Sequence, residues 1–183
     1  MATTALPKDK MTVDEFLAWA EGQSRLELHS GHVVKMAAER VGHARVKFAL
    51  QRALDDGVQR ANLACYVIPD GVTVRIDSDT CYEPDAMVFC GARLDPDALE
   101  INDPVIVVEV LSPSTQHIDV GRKLTGYFSL PSVVHYLVVD PDQPPVVHHH
   151  KRPDGTILTS IVPSGRIILD PPGIDIDVAA FFA

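Results

Sequence analysis

The sequence predicts a mixed α/β protein built on one largely central sheet with helices packed against it, a reading carried by three observations. PVIVVEVL (104–111) and VVHYLVVD (133–140) are nearly continuous apolar, β-branched runs of the kind that form strands buried on both faces. Between them, DVGRKLTGYFSL has helical spacing, so strand, crossover helix and strand imply a parallel pair. The other strand candidates are short and bounded by turn residues, as antiparallel strands are. At 183 residues the chain suits a single domain, 1–183, able to bury a sizeable core.

In chain order, TVDE supplies a capping box, with Thr12 as N-cap and Glu15 three residues on, and starts a short helix that runs to about Glu21. RLEL and HSGHVVKM read as a β-hairpin turning at Gly31, with Glu27 on the opposite face from Leu26 and Leu28. From about Arg40 to Asp56, Val46, Leu50, Ala53 and Leu54 recur at helical spacing, and Gly57 is the expected stop. Arg45 and Arg52 fall opposite that stripe, toward solvent, whereas His43 falls on the side of Leu50 and Leu54. LACYVI, VTVRI and DAMVF, parted by PDG and DSDT, suggest an antiparallel meander leading into the strand around Glu109. After the polar SPSTQHID, which caps or turns the chain, the helix runs from about Asp119 to Leu130 and ends at Pro131. VVHHHKR, TILTSIV and RIILD are later strands, and DVAAFF a short C-terminal helix.

The composition, 46% hydrophobic and 22% charged, is ordinary for a globular protein, and no apolar run approaches the roughly 20 residues that span a bilayer. The N-terminus lacks an apolar signal core. The three cysteines, Cys65, Cys81 and Cys90, are odd in number and without paired metal spacing, which points to a reduced, cytoplasmic protein. A net charge of −9 opposes non-specific attraction to polyphosphate, but seven Lys and Arg against four acids make Arg25–Arg60 locally positive.

Glu109 is the anomaly of the core strand, because a carboxylate withdrawn from water costs several kcal/mol unless something compensates it. Asp85, which opens DAMVF 24 residues earlier, would meet it on a neighbouring strand. A divalent cation lets two such carboxylates stay ionised together. Lys123 on the crossover helix could stabilise developing phosphoryl charge or assist the attacking water. Two acids and a lysine around a hard cation describe metal-assisted phosphodiester hydrolysis.

EPDAMVF and PVIVVEVLSPSTQHIDVGRKLTGYFSLPSVVHYLVVDP, together with RLELHSGHVVKM and the His43 segment VGHARV, resemble the Uma-two family of restriction-endonuclease-type proteins within the PD-(D/E)XK nuclease superfamily. The resemblance implies a restriction-endonuclease-like core carrying an N-terminal helix, a β-hairpin and additional antiparallel strands. It implies that Asp85 and Glu109, aided by the Val110 carbonyl, hold Mg²⁺, with Mn²⁺ as a substitute, and that Glu27 is an extra carboxylate near the metal. The superfamily's lysine two positions after the acid is replaced here by Leu111, so the catalytic lysine is expected at Lys123, with Asp119 supporting it and His43 a site neighbour. His29-Ser30 also departs from the usual apolar-acidic pair before the hairpin glycine. The implied substrate is DNA, with Arg45, Lys47 and Arg52 as backbone contacts, and by analogy with such nucleases a homodimer is expected.

Bland readings stand beside these. Glu109 and Lys123 could be a structural ion pair, Pro-Asp often only starts a strand, and His43 could be a bonded core histidine. His148, His149 and His150 alternate in facing and suit an exposed β-edge better than a metal site. No Gly-x-Ser-x-Gly elbow surrounds Ser112 and Ser114, and no aromatic sugar platform accompanies the acids. The rival class is a non-catalytic binding or assembly module that keeps the nuclease fold and its acidic pocket.

Overall fold

The computed structural model describes residues 6–23, 25–112 and 119–182, with the side chains of Asp119 and Val120 outside the described set. The capping box forms as the sequence predicts: helix α1 (Val13–Trp19) starts at Thr12, whose backbone N–H donates to Glu15 at 2.8 Å. The hairpin of β1 (Leu26–His29) and β2 (His32–Lys35) follows, then helix α2 (Val41–Arg60) and strand β3 (Cys65–Pro69). Two short strands, β4 (Val74–Arg75) and β5 (Cys81–Tyr82), precede β6 (Ala86–Cys90), β7 (Pro104–Val110) and helix α3 (Asp119–Ser129). Strands β8 (His135–Val139), β9 (Val146–Lys151), β10 (Ile157–Val162), β11 (Arg166–Leu169) and β12 (Ile174–Asp177) lead to a 3₁₀ turn at Val178–Phe181. Of SPSTQHID, residues 113–118 lie outside the described residues.

The large sheet has the order β10-β9-β8-β7-β6-β3, and its β7–β8 pair is parallel, as the two apolar runs and their crossover helix require. A smaller sheet, β2-β1-β5-β4, stands beside it, and β11–β12 form a separate hairpin. The expected meander is therefore corrected: β3 pairs directly with β6, and residues between them leave for the small sheet. Val74, Cys81 and Tyr82 find their burial there. Alternation along a strand fixes which residues share a face, not which sheet receives them.

Alternation along β7 divides the core. Ile106, Val108 and Val110 face the cluster under α2, while Val107 packs with Tyr127, Tyr136 and Val138 on the α3 side. Glu109 shares the parity of Val107 and so emerges toward α3. Gly57 does not stop α2. It lies inside the helix and faces Ile174 and Ile176 of β12, where a Cβ would meet them at ordinary packing distances of 3.4–3.5 Å. Among the described residues no helix is long and apolar enough to cross a membrane.

Two further expectations are corrected. Cys65 and Cys90, directly opposed on β3 and β6, form a disulfide and leave Cys81 as the free, buried thiol. The histidine run is not an exposed edge, because β9 lies between β8 and β10 and buries His148 and His149. His148 Nε2 lies 3.0 Å from Nδ1 of the fully buried His135. Burial, then the neighbouring imidazoles, push His135 down to about 3 and His148 to about 4. Both stay neutral when folded where an unfolded chain takes up protons, so their contribution is complete above about pH 6.5 and is lost as pH falls below it. At pH 4.5 the loss from His135 alone should be about 2–3 kcal/mol. Urea melts of wild type and a His135→Gln/His148→Gln variant between pH 4.5 and 7.5 check this: the stability difference between them should change by that order across the range, and a constant difference would refute it.

Candidate active site

The antiparallel register of β6 on β7 pairs Ala86 with Val108 and Met87 with Val107, so its continuation sets Asp85 opposite Glu109. The Val110 N–H donates to Asp85 Oδ2 at 2.7 Å, and Gln51 of α2 donates to the Asp85 carbonyl at 2.8 Å. The two carboxylates that the sequence singled out are thus locked at one end of two central strands. Asp85 and Glu109 are 5% and 8% exposed.

Helix α3 brings two groups to Glu109. Lys123 and Tyr127, one turn apart, place Nζ at 2.9 Å and the hydroxyl at 2.7 Å from the same oxygen, Oε1. The close approach depends on Gly126, where a Cβ would lie 2.8 Å from the Tyr82 ring. From the small sheet, Glu27 accepts from Lys123 at 2.8 Å, from the Glu83 N–H at 3.0 Å and from His29 Nε2 at 2.8 Å. His29, where the hairpin departs from the usual pattern, therefore orients Glu27.

A third group comes from the start of α2. Among the described residues, ligand atoms of Glu39, His43 and Asp85 all lie within 4.8 Å of one another. His43 Nε2 donates to the Val110 carbonyl at 2.9 Å, and its buried Nδ1 has no hydrogen-bond partner, with Glu39 Oε2 the nearby acid at 3.7 Å. Lys47 pairs with Glu39, bonds Asp70 at 2.8 Å and stands 3.7 Å from Asp85.

Burial, reinforced for Glu109 by the neighbouring acids, pushes Asp85 up to about 6 and Glu109 up to about 7. Lys123 and the Tyr127 hydroxyl bond oppose that rise at Glu109, and the Val110 N–H and the lysines oppose it at Asp85. For Glu27 burial acts upward too, but Lys123, His29 and the Glu83 N–H together hold it below the usual carboxylate range. Burial would lower Lys123, yet Glu109 and Glu27 outweigh it and keep the ammonium charged.

Asp85, Glu109, Lys123, Glu39 and His43 line a cavity of about 510 Å³ together with the chain that leaves β2. Of the expected site residues, Glu27, Asp85, Glu109, Val110, Lys123 and His43 meet here, and the side chain of Asp119 lies outside the described residues. The DNA contacts expected on α2 divide. Arg45 and Arg52 are exposed but do not line this cavity, and Lys47 is corrected from a surface contact to a buried, ion-paired residue. Glu39 was not among the expected site residues. The signal was its four-residue spacing to His43, which on α2 lies one turn before Lys47; Glu39 itself precedes the helix cap, Arg40.

The donor set fits a divalent cation. His43 Nε2 is held by a backbone carbonyl, its Nδ1 has no hydrogen-bond partner among the described residues, and carboxylates stand beside it, the usual arrangement around a ligating imidazole. Oxygen donors suit Mg²⁺, and the added imidazole favours Mn²⁺.

A family model described as "Putative restriction endonuclease", Uma2, matches residues 13–179. Two proteins of Synechocystis sp. are similar over most of their length. Uncharacterized protein slr1290 is 27% identical, over 96% of this chain and 93% of its own. Uncharacterized protein sll1609 is 26% identical, over 84% and 86%. The fold is that of a crystal structure from Anabaena variabilis entitled a putative nuclease belonging to DUF820, with a TM-score of 0.72 at 16% identity, covering 94% of this chain and 97% of that one. The fold agrees with a family match over nearly the whole sequence, and the chain belongs to the Uma2 family.

Proposed function

We propose that this protein is a divalent-metal-dependent nuclease that hydrolyses DNA phosphodiester bonds. One observation carries the reading: Asp85 and Glu109 line one cavity with Lys123, and Glu27, from a third segment, joins them through its ion pair with Lys123, although each carboxylate is costly to bury. Mg²⁺ or Mn²⁺ held by Asp85, Glu109 and the Val110 carbonyl, with Glu39 and His43 beside them, would supply Lewis acidity at the scissile phosphate. Lys123, fixed between Glu27 and Glu109, offers a positive charge to the phosphoryl oxygens as negative charge builds there. Tyr127 holds Glu109 in one orientation, and His29 does the same for Glu27. The rim cations Lys35 and Arg40 suit phosphates on either side of the scissile one. The expected homodimer would find an open strand edge at β10, where Ile157, Leu158 and Ile161 are exposed.

Calorimetric titration of the metal-free protein with Mn²⁺ and Mg²⁺ tests the reading together with DNA cleavage in each metal. Saturable uptake, tighter for Mn²⁺ and weakened at least about tenfold by His43→Ala, is expected, with cleavage abolished by EDTA. No uptake and no cleavage would instead favour the non-catalytic module.

A further inference from the structure

We infer that the strand entering this site is unpaired, so that the preferred substrate is single-stranded DNA or a single-stranded flap rather than intact duplex; the inference rests on the nuclease reading above. The acids sit at the bottom of a cavity of about 510 Å³, within the ~300–1,000 Å³ range of pockets that engulf a small ligand. Asp85 and Glu109 are nearly buried, so a phosphate reaches them only if its nucleotide enters the cavity.

The wall supports the same conclusion. Beside the carboxylates it is lined by Val34, Met36, Ala37, Ala38 and Leu111, all apolar side chains. A duplex turns charged phosphate and sugar outward and has nothing apolar to set against such a wall, whereas an unpaired nucleotide carries a base face that does. This wall is fixed in place. Arg25, in the left-handed backbone region at φ 62°, accepts from the Met36 N–H at 2.9 Å. Its guanidinium donates to the Ala37 carbonyl at 2.7 and 3.2 Å and pairs with Glu39 at 2.5 Å.

Charge argues likewise. Arg25, Lys35 and Arg40 line the cavity beside Lys123, Arg25 pairs with Glu39 and Arg40 with Asp142, and the chain as a whole carries −9. Duplex DNA presents one charge per ~1.7 Å, and its binders commonly neutralise ~6–10 phosphates, more than this rim can cover. A single strand lying against the apolar wall, with few cations needed beside it, makes a smaller demand.

The test uses the full chain with Ca²⁺ in place of Mg²⁺, fluorescein-labelled 12-nucleotide single strands and the matching blunt duplex, read by anisotropy. The single strand should bind at least about tenfold more tightly, and Val34→Asp, an exposed wall position, should remove most of that preference. Equal or tighter duplex binding, no binding of either, or a preference that Val34→Asp leaves intact would each overturn the inference. Cleavage in Mg²⁺ is scored on the single strand, a flap and the duplex. Cutting of duplex as fast as the others also overturns it, whereas preferential single-strand binding without any cutting refutes the nuclease reading and leaves the binding preference standing.

Discussion

Glu109→Gln and Asp85→Asn are each expected to lower metal-dependent DNA cleavage by at least ~10²–10³-fold while making the metal-free protein more stable at pH 8. The two effects have one origin. Burial raises Glu109 to about 7 and Asp85 to about 6, so the folded protein holds these protons more tightly than the unfolded chain. Ionising them therefore costs stability as pH rises through the window from the unfolded values near 4 to the folded values, and at pH 8 the whole cost is present. An amide of the same shape removes it. The gain should be of order 1–3 kcal/mol for Asp85→Asn, whose side chain can still accept from the Val110 N–H. Urea denaturation at pH 8 and pH 4.5 measures it, and the gain should shrink at the lower pH. Loss of activity accompanied by loss of stability would mean that these carboxylates are structural, and full activity in either variant would remove that residue from the chemistry.

Lys123→Met is expected to act in the opposite sense. It keeps the apolar stem but leaves Glu27 and Glu109 facing each other without their shared cation, and breaking a buried ion pair in this one-sided way costs ~3–5 kcal/mol. At pH 8 the variant should be destabilised by that amount. Lys123 opposes the rise at Glu109, so without it Glu109 takes up its proton above about 7, and the penalty should diminish as pH falls toward that value. Saturating Mn²⁺ should also recover part of it, since a cation bound among the same acids replaces the missing charge. A destabilisation indifferent to both pH and Mn²⁺ would show that Lys123 matters for packing alone. Cleavage should stay low even where stability is recovered.

The parts of the fold that the sequence reveals are those in which one residue pattern has one physical solution. The capping box at Thr12 and the apolar runs around Glu109 and Tyr136 are such patterns, and so are β7, α3 and β8. Glu109 itself was legible because an acid inside a buried strand demands a reason. What could not be read depends on partners distant in sequence. The split of β4 and β5 into a second sheet leaves no local mark, since the same alternation serves either sheet. Gly57 looks like a helix stop until β12, more than a hundred residues later, packs against it. Lys47 looks like a surface cation because its three carboxylate neighbours, Glu39, Asp70 and Asp85, come from the chain just before α2 and from two separate loops. Glu39 is the instructive omission, for its spacing to His43 was visible but nothing in the sequence says that this face of α2 meets Asp85.

The constellation draws on β1 for Glu27, α2 for His43, the start of β6 for Asp85, β7 for Glu109 and α3 for Lys123. None of these elements carries the constellation alone, and the small sheet must be docked on the large one before it exists. The constellation therefore exists only in the fully assembled chain. A molecule whose two sheets have come apart holds scattered acids and no positioned lysine.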